Sequence, residues 1–157
     1  MKTLLESDNL IYVKPSLELI NDYLVMVNDI DVQKFISKKV KTYSYEDECE
    51  WLKEKLNCDS IIFSVLEKNS KEFVGNIEFF DKKEIGICIT PKFQNMHYGT
   101  EMMKTMIDYV FNILDFDEIN LKVFSNNERA IHCYKKLGFK EYVTGENTEE
   151  IFMKLLK

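Results

Sequence analysis

A polar turn leading into a methionine-rich helix is the first stretch whose residue types suggest chemistry. It reads QNMHYGTEMM, residues 94–103, and follows a strand-like segment that ends at Pro91. Such a turn directs several unpaired backbone N–H groups at one point, where the helix dipole adds partial positive charge. The turn is therefore a candidate anion-binding site, although a strand, turn and helix without a ligand is the commoner explanation. Neither GxGxxG nor a P-loop lysine accompanies it, so neither a Rossmann nor an NTPase site is indicated.

A second stretch, SNNERAIHCYKKLGF, places polar residues along one helix. Ser125 and Glu128 have capping-box spacing and are predicted to start this helix, with Asn127 in its first turn. Tyr134 lies seven residues after Asn127, about two turns on, so both fall on one face. Gly138 is predicted to cap the C-terminus. This face is interpreted either as an ordinary packed surface or as a site that presents a phenol.

Segments of helical and strand-like periodicity supply the elements that position these two stretches. Ser16 is predicted to cap a helix that continues to Asn28, and Ser44 one whose first turns are acidic, whereas residues 29–42 fit no element. The predicted elements in chain order are the strand LIYVK, the helix to Asn28, the helix YEDECEWLKEKL, the strands DSIIFSVLE, KEFVGNIEFF and KEIGICITP, the methionine-rich helix at 99–115, the strand INLKVFS, the helix NNERAIHCYKKL and the strands FKEYV and EEIFMKLL. This order predicts a mixed α/β fold in a single domain spanning residues 1–157.

Composition excludes several classes of function. No apolar run is long enough to span a membrane, and the N-terminus is too acidic for a signal peptide, so no membrane partner is expected. The four cysteines form no CxxC pair and are expected to be reduced thiols in a cytoplasmic protein. His97 and His132 have no Cys or His partner at ligand spacing, so no metal site is expected.

The distribution of charge argues against nucleic acid as a partner. The net charge is −6, and no basic face is evident that could neutralise phosphates. Residues 1–90 carry 12 lysines and 17 acidic residues, a net charge of −5, whereas residues 91–157 carry −1. The first half is therefore expected to attract a cationic small molecule or peptide. An acidic surface that aids solubility is the alternative.

Together, the two polar stretches resemble the GNAT acetyltransferases, in particular the branch that acetylates ribosomal-protein N-termini and spermidine. QNMHYG at 94–99 occupies the position of the family turn Gln/Arg-x-x-Gly-x-Gly/Ala. NERA at 127–130 and YKKLGF at 134–139 match the family signature of Asn, Ala, Tyr and Gly-Phe. KEIGICITPKFQ is similar to the family's Glu-Ile-Gly strand. The close match covers residues 84–142, and the order of elements extends it over the whole chain.

The resemblance implies a mostly antiparallel sheet, flanked by about four helices, whose strands splay apart to bind acetyl-CoA. It implies that backbone groups of three strand residues pair with the pantetheine arm: Ile87, Cys88 and Ile89. It implies that N–H groups of the turn hold the pyrophosphate: those of Gln94, Asn95, Met96, His97, Tyr98, Gly99 and Thr100. Asn127 is then expected to hydrogen-bond the cofactor arm, and Tyr134 to face its sulfur.

The reaction implied is direct acyl transfer to a primary amine. Oxyanion character develops on the thioester carbonyl, and the tyrosine phenol of Tyr134 supplies or shares a proton with the leaving thiolate. Glu84 matches the family's strand glutamate and is the expected base or amine orienter. Glu78, on the preceding strand, is its competitor, and a water chain is a further alternative. Both glutamates are also interpretable as exposed strand carboxylates.

His97 departs from the family pattern, which most often has glycine at this position. Glycine allows close approach to phosphate or a positive φ, and histidine adds bulk. Two consequences stay open, weaker cofactor binding or direct contact with a phosphate. His97 is also the feature that favours the alternative function, a non-catalytic acetyl-CoA-binding module with the same fold.

The acceptor side is expected to be built by the N-terminal helices. Five acidic residues crowd the predicted helix after Ser44, namely Glu46, Asp47, Glu48, Glu50 and Glu54. They predict a cationic acceptor such as a polyamine or a peptide N-terminus, with a solvated helix face as the alternative. The closing strands are further expected to be able to pair across a homodimer.

Overall fold

The computed structural model describes residues 1–36, 39–142 and 149–157 as a mixed α/β fold. Its strands are β1 (Thr3–Glu6), β2 (Leu10–Val13), β3 (Ile61–Glu67), β4 (Phe73–Phe80), β5 (Glu84–Ile89), β6 (Glu118–Phe124), β7 (Lys140–Tyr142) and β8 (Glu150–Leu156). Its α-helices are α1 (Ile20–Asn28), α2 (Ile30–Ile36), α3 (Tyr45–Leu56), α4 (Tyr98–Asp108) and α5 (Glu128–Lys136). No helix in the described ranges is long and apolar enough to cross a membrane.

The strands form one sheet in the order β1-β2-β3-β4-β5-β6-β8-β7. Neighbouring strands are antiparallel except for β5 and β6, which run parallel. Those two strands share a single register pair, Glu84 with Asn120, and diverge beyond it. The sheet therefore confirms the predicted mixed, mostly antiparallel architecture with a splay in the middle.

Alternating residues of the strands divide the core into two layers. On one face, α1, α2 and α3 pack against residues such as Ile11 and Val13. On the other face, the methionines of α4 and the apolar side of α5 pack against residues such as Leu10 and Tyr12. Side chains alternate between the two faces of each strand, so the sheet has one helical layer on each face. The splay between β5 and β6 therefore lies between the two helical layers.

Helix ends follow the sequence signals in most places. Ser44 caps α3 through a capping box with Asp47, the N–H of Asp47 donating to Ser44 Oγ at 3.1 Å. The C-terminus of α5 is capped at Gly138 as predicted, and Gly138 adopts a φ of 102°. There the Gly138 N–H donates to the Lys135 carbonyl at 3.0 Å and the next N–H donates to the Tyr134 carbonyl at 3.1 Å.

The predicted start of α5 was wrong. No capping box joins Ser125 and Glu128; Asn127 is the N-cap itself, and its Oδ1 accepts the Ala130 N–H at 3.3 Å. The Ser125 N–H instead donates to the carbonyl of Glu149, in the chain leading to β8, at 2.8 Å. The side-chain cap thus starts the helix two residues later than the spacing predicted.

Three further elements differ from the prediction. β1 was not predicted, and α2 lies in the stretch at 29–42 that fitted no element, so five α-helices are described rather than about four. The methionine-rich helix begins at Tyr98 and changes at Tyr109 into a π-helical turn that ends at Ile113. The predicted strand FKEYV is β7, and its last residue, at position 143, lies outside the described residues.

Candidate active site

The splay between β5 and β6 opens into a cleft of about 580 Å³. Its walls come from both helical layers, because Tyr23 of α1 and Trp51 of α3 line it together with Met103 of α4 and Tyr134 of α5. The strand residues on either side are those of β5 and the second half of β6. The cleft therefore gives a single ligand access to groups from both sides of the sheet.

One edge of β5 faces this cleft. Ile87, Cys88 and Ile89 are each in register with a residue of β4, but none has a β6 partner among the described residues. Gly75 of β4 allows the close approach of β5, since a Cβ there would lie 2.1 Å from the Cys88 carbonyl oxygen. Burial raises the pKa of the Cys88 thiol to about 12, so this sulfur stays protonated at neutral pH.

The polar turn connects this edge to the start of α4. Asn95 and His97 adopt left-handed backbone conformations, with φ 66° and 65°. His97 is the N-cap of α4, so the first N–H groups of the helix, those of Tyr98, Gly99 and Thr100, have no intrahelical acceptor. The predicted anion site is thus built as a turn with two positive-φ residues before a helix N-terminus.

Side chains of the turn tie it to neighbouring elements. Gln94 donates from Nε2 to the Ile89 carbonyl at 3.0 Å, and Tyr98 donates from its phenol to Glu67 at 2.5 Å. A Cβ on Gly99 would lie 3.1 Å from the Ile89 side chain, which explains the small residue there. Met96 and His97 remain exposed to solvent. Two side chains of the turn are thus engaged by neighbouring elements, whereas the first N–H groups of α4 have no intrahelical acceptor.

Tyr134 and Asn127 both line the cleft from α5. Burial raises the pKa of the Tyr134 phenol to about 12, so the phenol is a proton donor throughout the neutral range. The Asn127 Oδ1 is engaged in the helix cap, and its amide nitrogen is left as a donor. The structure brings both predicted residues to one cavity with the free edge of β5.

Glu84 and Glu78 lie on the same sheet face, at the closed end of the splay. Glu84 is at the register pair where β5 and β6 separate, and its Oε1 lies 3.9 Å from Lys122 Nζ. Glu78 lies on β4, opposite Gly86 of β5, and its carboxylate accepts a hydrogen bond from Lys55 Nζ at 2.8 Å. Each carboxylate therefore lines the cleft beside a lysine.

A chain of buried hydroxyls leads to Asn76, which sequence analysis did not single out. The Ser16 N–H donates to Tyr23 Oη at 3.2 Å, and Tyr23 Oη lies 2.6 Å from Ser64 Oγ. Ser64 Oγ donates to Asn76 Oδ1 at 2.7 Å, so the Tyr23 phenol must be the donor to Ser64. This order of donors fixes the Asn76 amide, with its Nδ2 left as a donor at the cleft wall.

Glu48 is a second residue of the cleft whose role the sequence did not separate from its neighbours. It is buried, whereas Glu46, Glu50 and Glu54 of the same helix are exposed. A sequence signal does exist, because Glu48 is four residues before the buried Leu52 and so shares its helix face. The predicted acidic wall of the acceptor side therefore reduces, on α3, to one carboxylate that lines the cleft.

Metal chemistry has no candidate site in the part of the chain that the structure describes. No group of three or more His, Cys, Asp or Glu side chains there is arranged to hold an ion. His97 precedes α4, His132 lies in α5, and neither lines the cleft.

Curated proteins similar to this chain include N-acetyltransferases named for spermidine and for L-amino acids. The chain is 39% identical over 72 residues to a spermidine N(1)-acetyltransferase of Escherichia coli, a match covering 46% of this chain and 38% of that protein. It is 38% identical over 63 residues to an L-amino acid N-acetyltransferase of the same species, covering 40% and 39%. The chain therefore spans less than half the length of these relatives.

Solved structures share the fold over almost the entire chain. A GNAT-family acetyltransferase from Bacillus anthracis superposes with a TM-score of 0.81 at 20% identity, covering 96% of both chains. A spermidine N-acetyltransferase from Vibrio cholerae, in complex with CoA and spermine, gives a TM-score of 0.81 at 20% identity, covering 94% of this chain and 95% of the other.

The family itself is identified by a sequence match that is independent of these structures. The family model described as an acetyltransferase (GNAT) domain matches residues 9–140, which include β2 through α5 and every element that lines the cleft except β8. The chain belongs to the GNAT acetyltransferase family.

Proposed function

We propose that this protein is an acetyl-CoA-dependent N-acetyltransferase that acetylates a primary amine by direct transfer. The observation that carries the proposal is the free edge of β5, which runs from Tyr134 and Asn127 at the cleft to the N-terminus of α4. An extended strand-like arm and a phosphate group at its end are the ligand chemistry that such an edge and such a helix end accept.

The described residues fit CoA in three places. Ile87, Cys88 and Ile89 form the edge of β5 that β6 does not pair with, and this edge would bind the amides of the pantetheine arm. The N–H groups from Gln94 to Thr100 offer donors for the pyrophosphate. The Asn127 amide nitrogen is a further donor along the arm.

Acetyl-CoA, when bound, supplies a thioester whose carbonyl carbon accepts the amine and whose sulfur leaves. In this proposal Tyr134 donates a hydrogen bond at the position of the sulfur, and its raised pKa keeps the proton available. Glu84 orients the amine and accepts its proton, directly or through water; Glu78 is the alternative base. Glu84 is preferred for this role because it lies at the register pair where β5 and β6 separate.

The proposed acceptor is a cationic amine, with polyamines as the first candidates. Glu48, Glu78 and Glu84 all line the cleft and give its acceptor side a negative charge, offset in part by Lys55 and Lys122. The names of the curated relatives include spermidine and L-amino acid acetyltransferases, and of these two a polyamine suits a negative cleft better.

The proposal is tested by binding and turnover measured separately. Saturating acetyl-CoA should raise the melting temperature and protect residues 94–100 from amide exchange, since a ligand bound only by the folded state stabilises it. A panel of polyamines, peptides with free N-termini, amino acids and neutral amines, followed by thiol release, should then give turnover with polyamines. Binding without turnover on any amine would assign the chain to the non-catalytic acetyl-CoA-binding alternative.

We further propose a cytoplasmic location and assembly through the edge strand β7. The four cysteines are present as thiols, the form that a reducing compartment maintains. β7 is at the end of the sheet order and pairs with β8 alone among the described strands. Light scattering of the purified protein distinguishes a dimer from a monomer.

A further inference from the structure

The Glu48 carboxylate has no hydrogen bond or ion pair to any residue within 1–36, 39–142 and 149–157, although Glu48 is only 4% exposed. In the same ranges no side-chain oxygen is both fully enclosed and without a partner. The Glu48 oxygens must therefore be open to the cleft that this residue lines.

A buried carboxylate without a cation is unfavourable in the free protein. Burial raises the pKa of Glu48, and the neighbouring charge of Asp47 raises it further. The other three carboxylates of the cleft differ in this respect, because Glu78 has Lys55 at 2.8 Å, Glu84 has Lys122 at 3.9 Å, and Glu150 is only partly buried. Glu48 is thus the carboxylate of this cleft that a bound cation would compensate.

The surroundings of Glu48 match an ammonium group. Tyr23 and Trp51 line the same wall, and their rings meet edge to face with centroids 5.3 Å apart. Trp51 follows Glu48 by three residues and so lies on the same side of α3. Aromatic rings beside a carboxylate attract an alkylammonium through both its charge and its methylenes. The Tyr23 phenol is held in place by Ser64, which keeps this wall in one arrangement.

We propose that Glu48 binds a positively charged nitrogen of the acceptor other than the nitrogen that becomes acetylated. The reacting nitrogen must lose its charge to attack, so a carboxylate that holds it as an ammonium would oppose the reaction, and Glu84 is already proposed as the base that accepts its proton. A second, non-reacting ammonium has no such conflict and compensates the Glu48 charge. The inference rests on the proposed function and narrows its substrate class to amines with at least two cationic groups.

The experiment compares two acceptors of equal chain length, 1,6-diaminohexane and hexylamine, which differ in the second ammonium. Glu48→Gln should raise the KM for the diamine by about 10- to 100-fold, the range expected for a hydrogen bond to a charged group. Its KM for hexylamine should stay within about twofold of wild type. Glu48→Asp should recover part of the diamine affinity, and Glu50→Gln, at an exposed position of the same helix, should leave both acceptors unaffected.

Calorimetric titration of the diamine into the CoA complex separates this inference from the proposed function. Diamine binding that is lost in Glu48→Gln and kept in Glu50→Gln supports the site even if no amine is acetylated, and in that case the proposed function alone fails. Turnover in which Glu48→Gln affects the diamine and hexylamine equally overturns the site and leaves the proposed function standing. Circular dichroism of each variant verifies that it is folded.

Discussion

The ring of Tyr134 contacts that of Phe139 edge to face, with 6.1 Å between centroids and 60° between planes. Phe139 is buried and directly follows Gly138, which ends α5. The ring of Tyr134 therefore packs against the core, and the proposed role in proton donation belongs to its hydroxyl alone.

Tyr134→Phe should keep the ring contact and lose only the hydroxyl. We expect turnover to fall by about 10²–10⁴-fold, the usual worth of general-acid assistance, while acetyl-CoA affinity changes little. Single-turnover rates are the measurement, because product release can hide a slower chemical step. Tyr142→Phe, which removes a hydroxyl outside the cleft, is the matched control. An unchanged single-turnover rate for Tyr134→Phe would leave this tyrosine a packing residue.

The pH dependence of turnover should show no alkaline loss from Tyr134 within the usual assay range. Its pKa is raised to about 12, so the phenol stays protonated and able to donate at every pH well below that value. We expect kcat with saturating substrates to be free of a Tyr134-dependent limb up to about pH 10. A limb below pH 10 that disappears in Tyr134→Phe would contradict this assignment.

Glu48→Gln should stabilise the ligand-free protein at neutral pH. Burial raises the pKa of the folded-state Glu48 carboxyl above its ordinary value of 4.5, so the folded protein binds this proton more tightly than the unfolded chain. The free energy of unfolding should therefore fall as the pH rises from 4.5 through the raised pKa. The gain from the substitution should be about 2–4 °C in Tm at pH 7, or roughly 1 kcal/mol, and should vanish below the unfolded pKa. Scanning calorimetry at pH 4 and pH 7, with Glu50→Gln as control, measures it. A lower Tm at pH 7 would show that the Glu48 charge stabilises the fold.

His97 should be easier to replace by glycine than by alanine. Its φ of 65° is left-handed, a conformation that costs an ordinary L-residue about 1–2 kcal/mol and glycine little. We therefore expect the free energy of unfolding of His97→Gly to exceed that of His97→Ala by about 1 kcal/mol. The same pair of substitutions at the exposed Met96, where φ is not positive, should not favour glycine. Titration of each His97 variant with acetyl-CoA then shows whether the imidazole aids or impedes binding.

Gly75→Ala should displace β5 and impair the cleft. The new methyl group would lie 2.1 Å from the Cys88 carbonyl oxygen, a backbone atom that moves only with its strand. We expect a loss of several kcal/mol of stability or of soluble protein, and weaker acetyl-CoA binding in whatever folds. Gly86→Ala is the control, because its methyl group meets the end of the Phe80 ring at 3.3 Å. Equal effects of the two substitutions would argue against the tight contact between β4 and β5.

Much of the fold was predictable because the local signals agreed with the tertiary structure. The hairpin of β3 and β4, the Ser44 cap and the Gly138 terminus all rest on short-range hydrogen bonds and periodicity. The start of α5 was wrong because two overlapping cap signals compete there, and the Ser125 backbone is engaged by Glu149. β1 is only four residues long and depends on its pairing with β2, so its own sequence is too short to predict a strand.

The candidate site was predictable on the cofactor side and less so on the acceptor side. The turn at 94–100 and the Asn127 and Tyr134 pair are contiguous motifs, so their residue types could be read directly. Glu48 could not be told from its acidic neighbours, since its burial arises only when α3 docks on the sheet beside Tyr23. Asn76 depends in the same way on hydroxyls from two other elements, those of Tyr23 in α1 and Ser64 in β3.

The cleft at the splay between β5 and β6 is lined by helices of both layers, and this arrangement affects how two substrates can bind. If the cofactor lies along β5 toward α4 while the amine enters beside α1 and α3, neither substrate blocks the entrance of the other. Both can then be bound at once, and double-reciprocal plots of initial rate should intersect instead of running parallel. The one cysteine that lines the cleft, Cys88, has a thiol pKa of about 12, so it is poorly suited to carry an acetyl group between two half-reactions. Release of CoA should accordingly require the amine, with no burst of free thiol in its absence.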